Sequence, residues 1–334
     1  MSHAALLRRL VAGERLGEDE AAALVGEIVD GSIGPSLAGG LLVAMAARGE
    51  ADSEVAGAAI ALRERCVRVE HDLPIVVDVV GTGGDAAGTI NISTMAALVV
   101  AAAGVPVAKH GNRAASSVCG SADVLEAAGL PLDVPPERCA QMLREANFAF
   151  LFAPNHHPAM KRVGGVRREL GIPTIFNLVG PLTNPASPTH LVVGVAREGT
   201  MEILASVLAR LQMRGVVVHG SGGMDEVCGD GVSRVLEFGE EMRAWEIDPR
   251  EYGVSASRKD VSARTLDECA QAFLAILGGE RSGRSDVVAL NAALALHACG
   301  VRSSVGEALE LATGLQRAGE GLRVFQRAKK IARG

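Results

Sequence analysis

Val76-Val-Asp-Val-Val-Gly-Thr-Gly-Gly-Asp85 decides the fold. Val76–Val80 is β-branched and apolar apart from Asp78, the pattern of a strand buried in a parallel sheet. The strand runs directly into Gly81-Thr-Gly-Gly84, where missing side chains let backbone N–H groups approach a ligand. Asn91, Ser93 and Thr94 follow with N-cap chemistry for a helix that ends before Gly104. A strand, a glycine turn and a helix N-terminus together form an anion site, because free amides and helix dipole point the same way. A phosphorylated substrate is the first expectation. The turn lacks the Lys-Ser/Thr ending of a P-loop, and its glycines miss the spacing of a dinucleotide fingerprint.

Upstream of this stretch the chain reads as helical. Segments 4–11, 18–29, 35–47 and 52–66 carry helix-period apolar positions separated by glycine-containing turns, with Asp52-Ser53 as a cap for the fourth. The third, around Leu37–Ala46, is apolar on almost every side and must be covered by its own domain or by a second subunit. From Pro74 onward strands alternate with helices, as in a parallel sheet. Strands are expected at 105–110, 148–152, 190–196 and 215–219, an antiparallel pair at 233–238 and 242–247, and a loop-rich stretch at 175–185. The last third is helical. The fold class is therefore α/β: a small N-terminal helical domain and a larger domain whose mostly parallel central sheet is surrounded by helices.

Composition narrows the partners. The 334 residues are 48% hydrophobic with a formal charge of −6, so a nucleic-acid or membrane-surface binder, which needs a positive face, is not expected. Any bound phosphate must then be met by local cations, backbone amides or metal. Six scattered cysteines without a Cys-x-x-Cys pair suit reduced thiols. No signal peptide opens the sequence and no apolar run is long enough to span a bilayer, so a cytoplasmic protein is expected.

Polar residues collect where the strands end, the usual ligand position in open α/β sheets. Lys109-His-Gly-Asn-Arg113, with Ser116, Ser117 and Ser121 beyond it, supplies positive charge through Lys109 and Arg113. Gly220-Ser-Gly-Gly-Met-Asp-Glu226 places two adjacent carboxylates on a glycine loop. Left uncompensated, Asp225 and Glu226 repel an anionic substrate. Mg²⁺ reconciles them, since it binds one or two carboxylates together with substrate phosphates.

These motifs, with Gly120-Ser-Ala-Asp123, His157-Pro-Ala-Met-Lys161 and Phe176-Asn-Leu-Val-Gly-Pro-Leu-Thr-Asn-Pro185, occur in the order seen in the anthranilate phosphoribosyltransferase family, which the chain resembles over nearly its whole length. The resemblance implies a helical domain over 1–68, completed by helices from about 160–185, and a substrate-binding α/β domain over 69–334. It also implies a homodimer through the helical part and a place in tryptophan biosynthesis. The implied reaction joins anthranilate and phosphoribosyl pyrophosphate (PRPP) into phosphoribosyl-anthranilate and pyrophosphate, with Mg²⁺. By the same resemblance PRPP is held by Gly81, Thr82, Gly83, Gly84, Asp85, Thr89, Asn91, Ile92, Ser93, Thr94, Lys109, His110, Gly111, Asn112, Ser117 and Ser121. Gly81, His110, Asn112, His157 and Arg167 line the anthranilate path, and Ser93, Asp225 and Glu226 bind metal. The chain departs from the pattern at Ala86-Ala-Gly88, Ile90 and Cys119, none of which removes a group the chemistry needs.

The chemistry of the residues agrees. Loss of pyrophosphate passes through an oxocarbenium-like state, so the main task is stabilising departing negative charge, with positioning and electrostatics rather than a nucleophilic residue. An aromatic amine is already a free nucleophile at neutral pH and needs positioning, which Asn112 can provide. On the helix through Leu170, Val163, Val166 and Leu170 share an apolar face with Arg167 beside it, while Arg168 points towards solvent. One alternative is a pyrimidine-nucleoside phosphorylase, similar in fold and also carrying a Lys-His-Gly loop, but without a paired-carboxylate metal site. Another is a catalytically silent ligand-binding relative, against which Lys109, Asn112, Asp225 and Glu226 weigh.

Overall fold

A computed structural model describes residues 2–83, 88–114 and 118–334. The chain divides into two compact units, Met1–Val67 with Pro154–Pro185, and Arg68–Ala153 with Ala186–Gly334. From the N-terminus come α1 (His3–Val11), α2 (Glu18–Asp30), α3 (Pro35–Arg48) and α4 (Asp52–Glu64). There follow β1 (Val77–Gly81), α5 (Ile92–Ala102), β2 (Val107–Gly111), α6 (Ser121–Ala127), α7 (Pro136–Ala146) and β3 (Phe148–Phe152). The chain then returns to the first unit through α8 (Ala153–His156), α9 (Met160–Leu170), α10 (Ile175–Leu178) and a 3-10 turn, Gly180–Thr183. The remainder is β4 (His190–Gly194), α11 (Met201–Arg210), β5 (Arg214–His219), β6 (Ser233–Phe238) and β7 (Arg243–Ile247). Four helices close it: α12 (Leu266–Leu277), α13 (Gly283–Ala298), α14 (Val305–Arg317) and α15 (Glu320–Arg333).

In the helical unit, α2 and α4 meet so closely that a Cβ at Gly57 would lie 2.2 Å from the Glu18 carbonyl oxygen. The cap of α4 differs from the expected Asp52-Ser53. Ala51 takes the N-cap position, and the fully buried Glu54 carboxylate accepts from the N–H groups of Ala51 and Leu16, both at 2.8 Å. Arg48 pairs with that carboxylate, and these partners hold it below the usual carboxylate range against the opposing effect of burial. The apolar α3 is covered largely by its own unit. Ala38, Leu41, Leu42 and Met45 are buried, Gly39 faces Val166 and Leu170 of α9, and Gly40 faces Leu7 of α1. Val43 and Ala47 stay exposed. The stretch expected to be loop-rich at 175–185 contains α10, started by Asn177, whose side chain accepts from the Thr174 N–H.

The second unit is built on a seven-stranded sheet of order β3-β2-β1-β4-β5-β6-β7. The first five strands run parallel, and β6 and β7 are antiparallel additions. α5 buries nearly its whole length, Ile92 and Thr94–Ala101, and each large apolar side chain so buried contributes about 1.5–3 kcal/mol. Strand order reverses between β1 and β4, whose last residues, Gly81 and Gly194, are direct partners. That reversal opens a crevice at the carboxyl ends of the strands. Among the described residues, no helix is long and apolar enough to cross a membrane.

Candidate functional site

At the end of β1 the chain turns through Gly81-Thr-Gly83, and the Thr82 N–H donates to the Gly194 carbonyl at 2.9 Å. The Gly83 N–H donates to Asp225 Oδ2 at 2.8 Å. Three bare Cα positions admit the carboxylate loop that follows β5. A Cβ at Gly81 would lie 2.2 Å from Asp225 Oδ2, at Gly194 1.5 Å from the Asp225 carbonyl oxygen, and at Gly220 2.2 Å from that of Glu226. Asp225 therefore reaches the glycine turn only because Gly194 stands opposite Gly81 in the register.

Glu226 reaches the start of α5, where its Oε1 accepts from the Ser93 N–H at 3.2 Å. It satisfies a helix-end amide that the expected N-cap leaves open. Asn91 does occupy the cap position, but its side chain is turned to Cys119: Nδ2 donates to the Cys119 carbonyl at 3.1 Å, and the Cys119 thiol donates to Oδ1 at 3.3 Å. The fully buried Thr94 hydroxyl has no hydrogen-bond partner among the described residues. Ile92 is buried in the first turn of α5, and Thr89 forms an isolated bridge with Ser262.

Lys109, in β2, is 2% exposed. Its Nζ donates to the Val79 carbonyl at 2.6 Å and lies 3.4 Å from the Ser93 hydroxyl, so it spans the gap between β1 and α5. Burial pushes its ammonium below the usual lysine range, while Asp78, Glu226 and Asp225 oppose that effect. Asp78, fully buried in β1, also accepts from the His110 N–H at 3.4 Å. Sequence reasoning gives Asp78 no role, although a single charge in an apolar strand is the signal that could have found it. Gly111 closes β2, and Asn112 follows it. A Cβ at Gly111 would meet the Ser121 hydroxyl at 2.3 Å, and that hydroxyl donates to the Asn112 carbonyl at 3.3 Å. Arg113 corrects an expectation. Its guanidinium pairs with Asp123 and Glu126 at 3.0 and 2.7 Å and stacks over Phe152, so it is not a spare cation for phosphate. The expected PRPP residues Gly84, Asp85 and Ser117, and Ser116 beside them, lie outside the described residues.

The remaining expected residues belong to the helical unit. His157 is 7% exposed, and burial together with neighbouring His156 pushes its pKa down to about 4, so it is neutral at physiological pH. Arg167, on α9, is half-buried with its guanidinium over the Phe176 ring at 5.8 Å. It has no ion-pair partner among the described residues, and burial lowers its pKa. Arg168 is exposed.

Asp225, Glu226 and the Ser93 hydroxyl offer only hard oxygen donors, beside the backbone amides of Gly83 and Ser93. Among the described residues, no group of three or more His, Cys, Asp or Glu side chains forms a cage. The donor set fits Mg²⁺, which takes one or two carboxylates and completes its octahedron with phosphate and water.

Residues 73–322 match the glycosyl transferase family, a/b domain, and residues 4–66 match the helical bundle domain of that family. Anthranilate phosphoribosyltransferase of Pelotomaculum thermopropionicum is 47% identical over 92% of this chain and 90% of its own length. The crystal structure of anthranilate phosphoribosyltransferase from Thermus thermophilus is similar at a TM-score of 0.94 and 42% identity, covering 98% of this chain and 99% of that one. The enzyme of that name from Saccharomyces cerevisiae, in complex with PRPP and Mg, shares the fold at a TM-score of 0.90 and 23% identity, over 99% and 98% of the two chains. The identities and the coverage of both units have one consequence: the chain belongs to the anthranilate phosphoribosyltransferase family, enzymes of pentosyl transfer.

Proposed function

We propose that the protein transfers the phosphoribosyl group of PRPP to the amine of anthranilate and releases pyrophosphate, with Mg²⁺, as the second step of the tryptophan branch. One observation carries the reading. Two carboxylates and a buried lysine converge on a glycine turn and a helix N-terminus at the strand-order reversal of the sheet. Bound there, Mg²⁺ would neutralise charge on the pyrophosphate as it leaves. Asp225 and Glu226 would hold the ion, with Ser93 near it. Lys109 adds a positive charge, and the amides of Gly83 and of the first turn of α5 can orient phosphate oxygens as Asp225 and Glu226 turn from them to the metal. Of the residues that the resemblance assigns to the aromatic acid, neutral His157 would contact the ring and Arg167 its carboxylate. The complex of the yeast relative with PRPP and Mg is in keeping with PRPP as the donor and Mg²⁺ as the metal. The paired carboxylates disfavour the phosphorylase alternative.

The test is loss of anthranilate fluorescence on addition of PRPP and Mg²⁺, with release of one pyrophosphate per turnover. Absence of that signal, with phosphorolysis of a pyrimidine nucleoside instead, would favour the alternative.

The same reading makes the protein a cytoplasmic homodimer joined through the helical unit. The strip of Gly40, Val43, Ala44 and Ala47 on α3 supports it, because these small apolar residues remain partly or fully exposed at helical spacing. Sedimentation at micromolar concentration is expected to give twice the chain mass. A folded species at the mass of one chain would reject the dimer.

A further inference from the structure

His156 closes a two-bond clasp within the helical unit. The Val67 N–H donates to the His156 carbonyl at 2.8 Å, and His156 Nδ1 donates to the Val67 carbonyl, also at 2.8 Å. One residue thus satisfies both backbone polar groups of another that lies 89 positions away in the chain. The His156 ring is 2% exposed, and burial lowers its pKa, so it is a neutral imidazole with its proton on Nδ1.

The clasp lies at a point where local structure is weak. α8 has four residues, and Pro158 stands two positions beyond its end. Such a short helix cannot fix its own position, so tertiary bonds set it. Val67, by contrast, lies three residues beyond the end of the thirteen-residue α4. The next residue, His157, bonds to the backbone of Thr183. Consecutive histidines are thus tied to two different segments, and the turn between them is held from both sides.

We propose that His156 is a positioning residue for the acceptor substrate: its clasp on Val67 fixes the turn that presents the neighbouring His157 ring to the aromatic acid. This rests on the proposed role of His157 at the anthranilate site. Both bonds of the clasp join residues of the helical unit, and every residue proposed for PRPP belongs to the other unit, so its effect is expected on the acceptor.

The experiment compares His156→Leu, His156→Asn and His157→Asn by steady-state kinetics with each substrate varied in turn. An asparagine amide nitrogen falls near the place of Nδ1 and can donate to the Val67 carbonyl, whereas leucine fills the space without a donor. His156→Leu is expected to raise the KM for anthranilate by about tenfold while the KM for PRPP stays within about twofold, and His156→Asn to restore most of the loss. An unchanged anthranilate KM in His156→Leu, with His157→Asn impaired, overturns the positioning role and leaves the site intact. If His157→Asn is also unimpaired, the site reading itself fails. Equal losses for both substrates, tracking the melting temperature, reduce the clasp to a structural bond and overturn the proposal. Should His156→Leu not fold, His156→Gln takes its place. Its amide sits one bond further out, so it is expected to raise the anthranilate KM where His156→Asn does not, and equal values for the two reject the proposal.

Discussion

Replacing Asp225 and Glu226 together by Asn and Gln is expected to lower kcat/KM at saturating Mg²⁺ by about a thousandfold or more, since loss of one preorganised electrostatic partner alone costs about a hundred- to a thousandfold. The fold should survive. Each amide oxygen can still accept the N–H of Gly83 or Ser93, and the backbones of both residues keep their places against Gly194 and Gly220. A sharper outcome concerns metal removal. Both carboxylates engage the amides of the anion site, where they compete with a phosphate and repel it. With a chelator present, the double variant should therefore bind pyrophosphate more tightly than the wild type, and with Mg²⁺ present more weakly. Calorimetric titration in the two buffers reads this inversion directly. A double variant that turns over normally in chelator, or binds pyrophosphate identically in both buffers, removes the two carboxylates from metal binding.

The parts of this site that are legible in the sequence are those fixed by local chemistry. An apolar β-branched run ending in glycines, and polar residues just past strand ends, locate the crevice where Gly83, Ser93 and Lys109 meet, because each depends on neighbours within a few positions. Helix periodicity locates the helical segments before Cys66 for the same reason. What is not legible depends on register and distance. Asp225 meets Gly83 across 142 positions, and only the pairing of Gly81 with Gly194 leaves room for it. A lone glycine at the end of β4 carries no sign of that duty. Asn91 illustrates the converse. Its type and position promise an N-cap, yet Cys119, brought alongside by the fold, takes its side chain, and Glu226 serves the helix end instead. Arg113 reads as a cation for substrate because its acidic partners lie ten and thirteen residues on, in α6, beyond the reach of a local pattern.

Arg167→Ala is expected to lower kcat/KM for anthranilate by about ten- to several-hundred-fold and to leave PRPP binding almost unchanged. The argument starts from a cost. A half-buried guanidinium without a carboxylate partner among the described residues has lost hydration, and burial accordingly lowers its pKa. The Phe176 ring beneath it returns part of that cost through a cation–π contact at 5.8 Å. It also holds the guanidinium plane in a set place. A carboxylate can be gripped there by two parallel hydrogen bonds, each charged bond contributing about 1.5–3 kcal/mol. Arg168, one residue on, is exposed and supplies the internal control: its replacement by alanine should change neither substrate's constants. Arg167→Lys separates charge from geometry, since a lysine keeps the positive charge but cannot form the paired grip. It should recover only a minor part of the loss. The same contacts predict selectivity for the acid. Aniline, which has the amine but no carboxylate, should be as poor an acceptor for the wild type as for Arg167→Ala. If Arg167→Ala instead retains wild-type kinetics for anthranilate and still rejects aniline, the carboxylate is recognised by another residue and the stacked arginine serves only the helical unit.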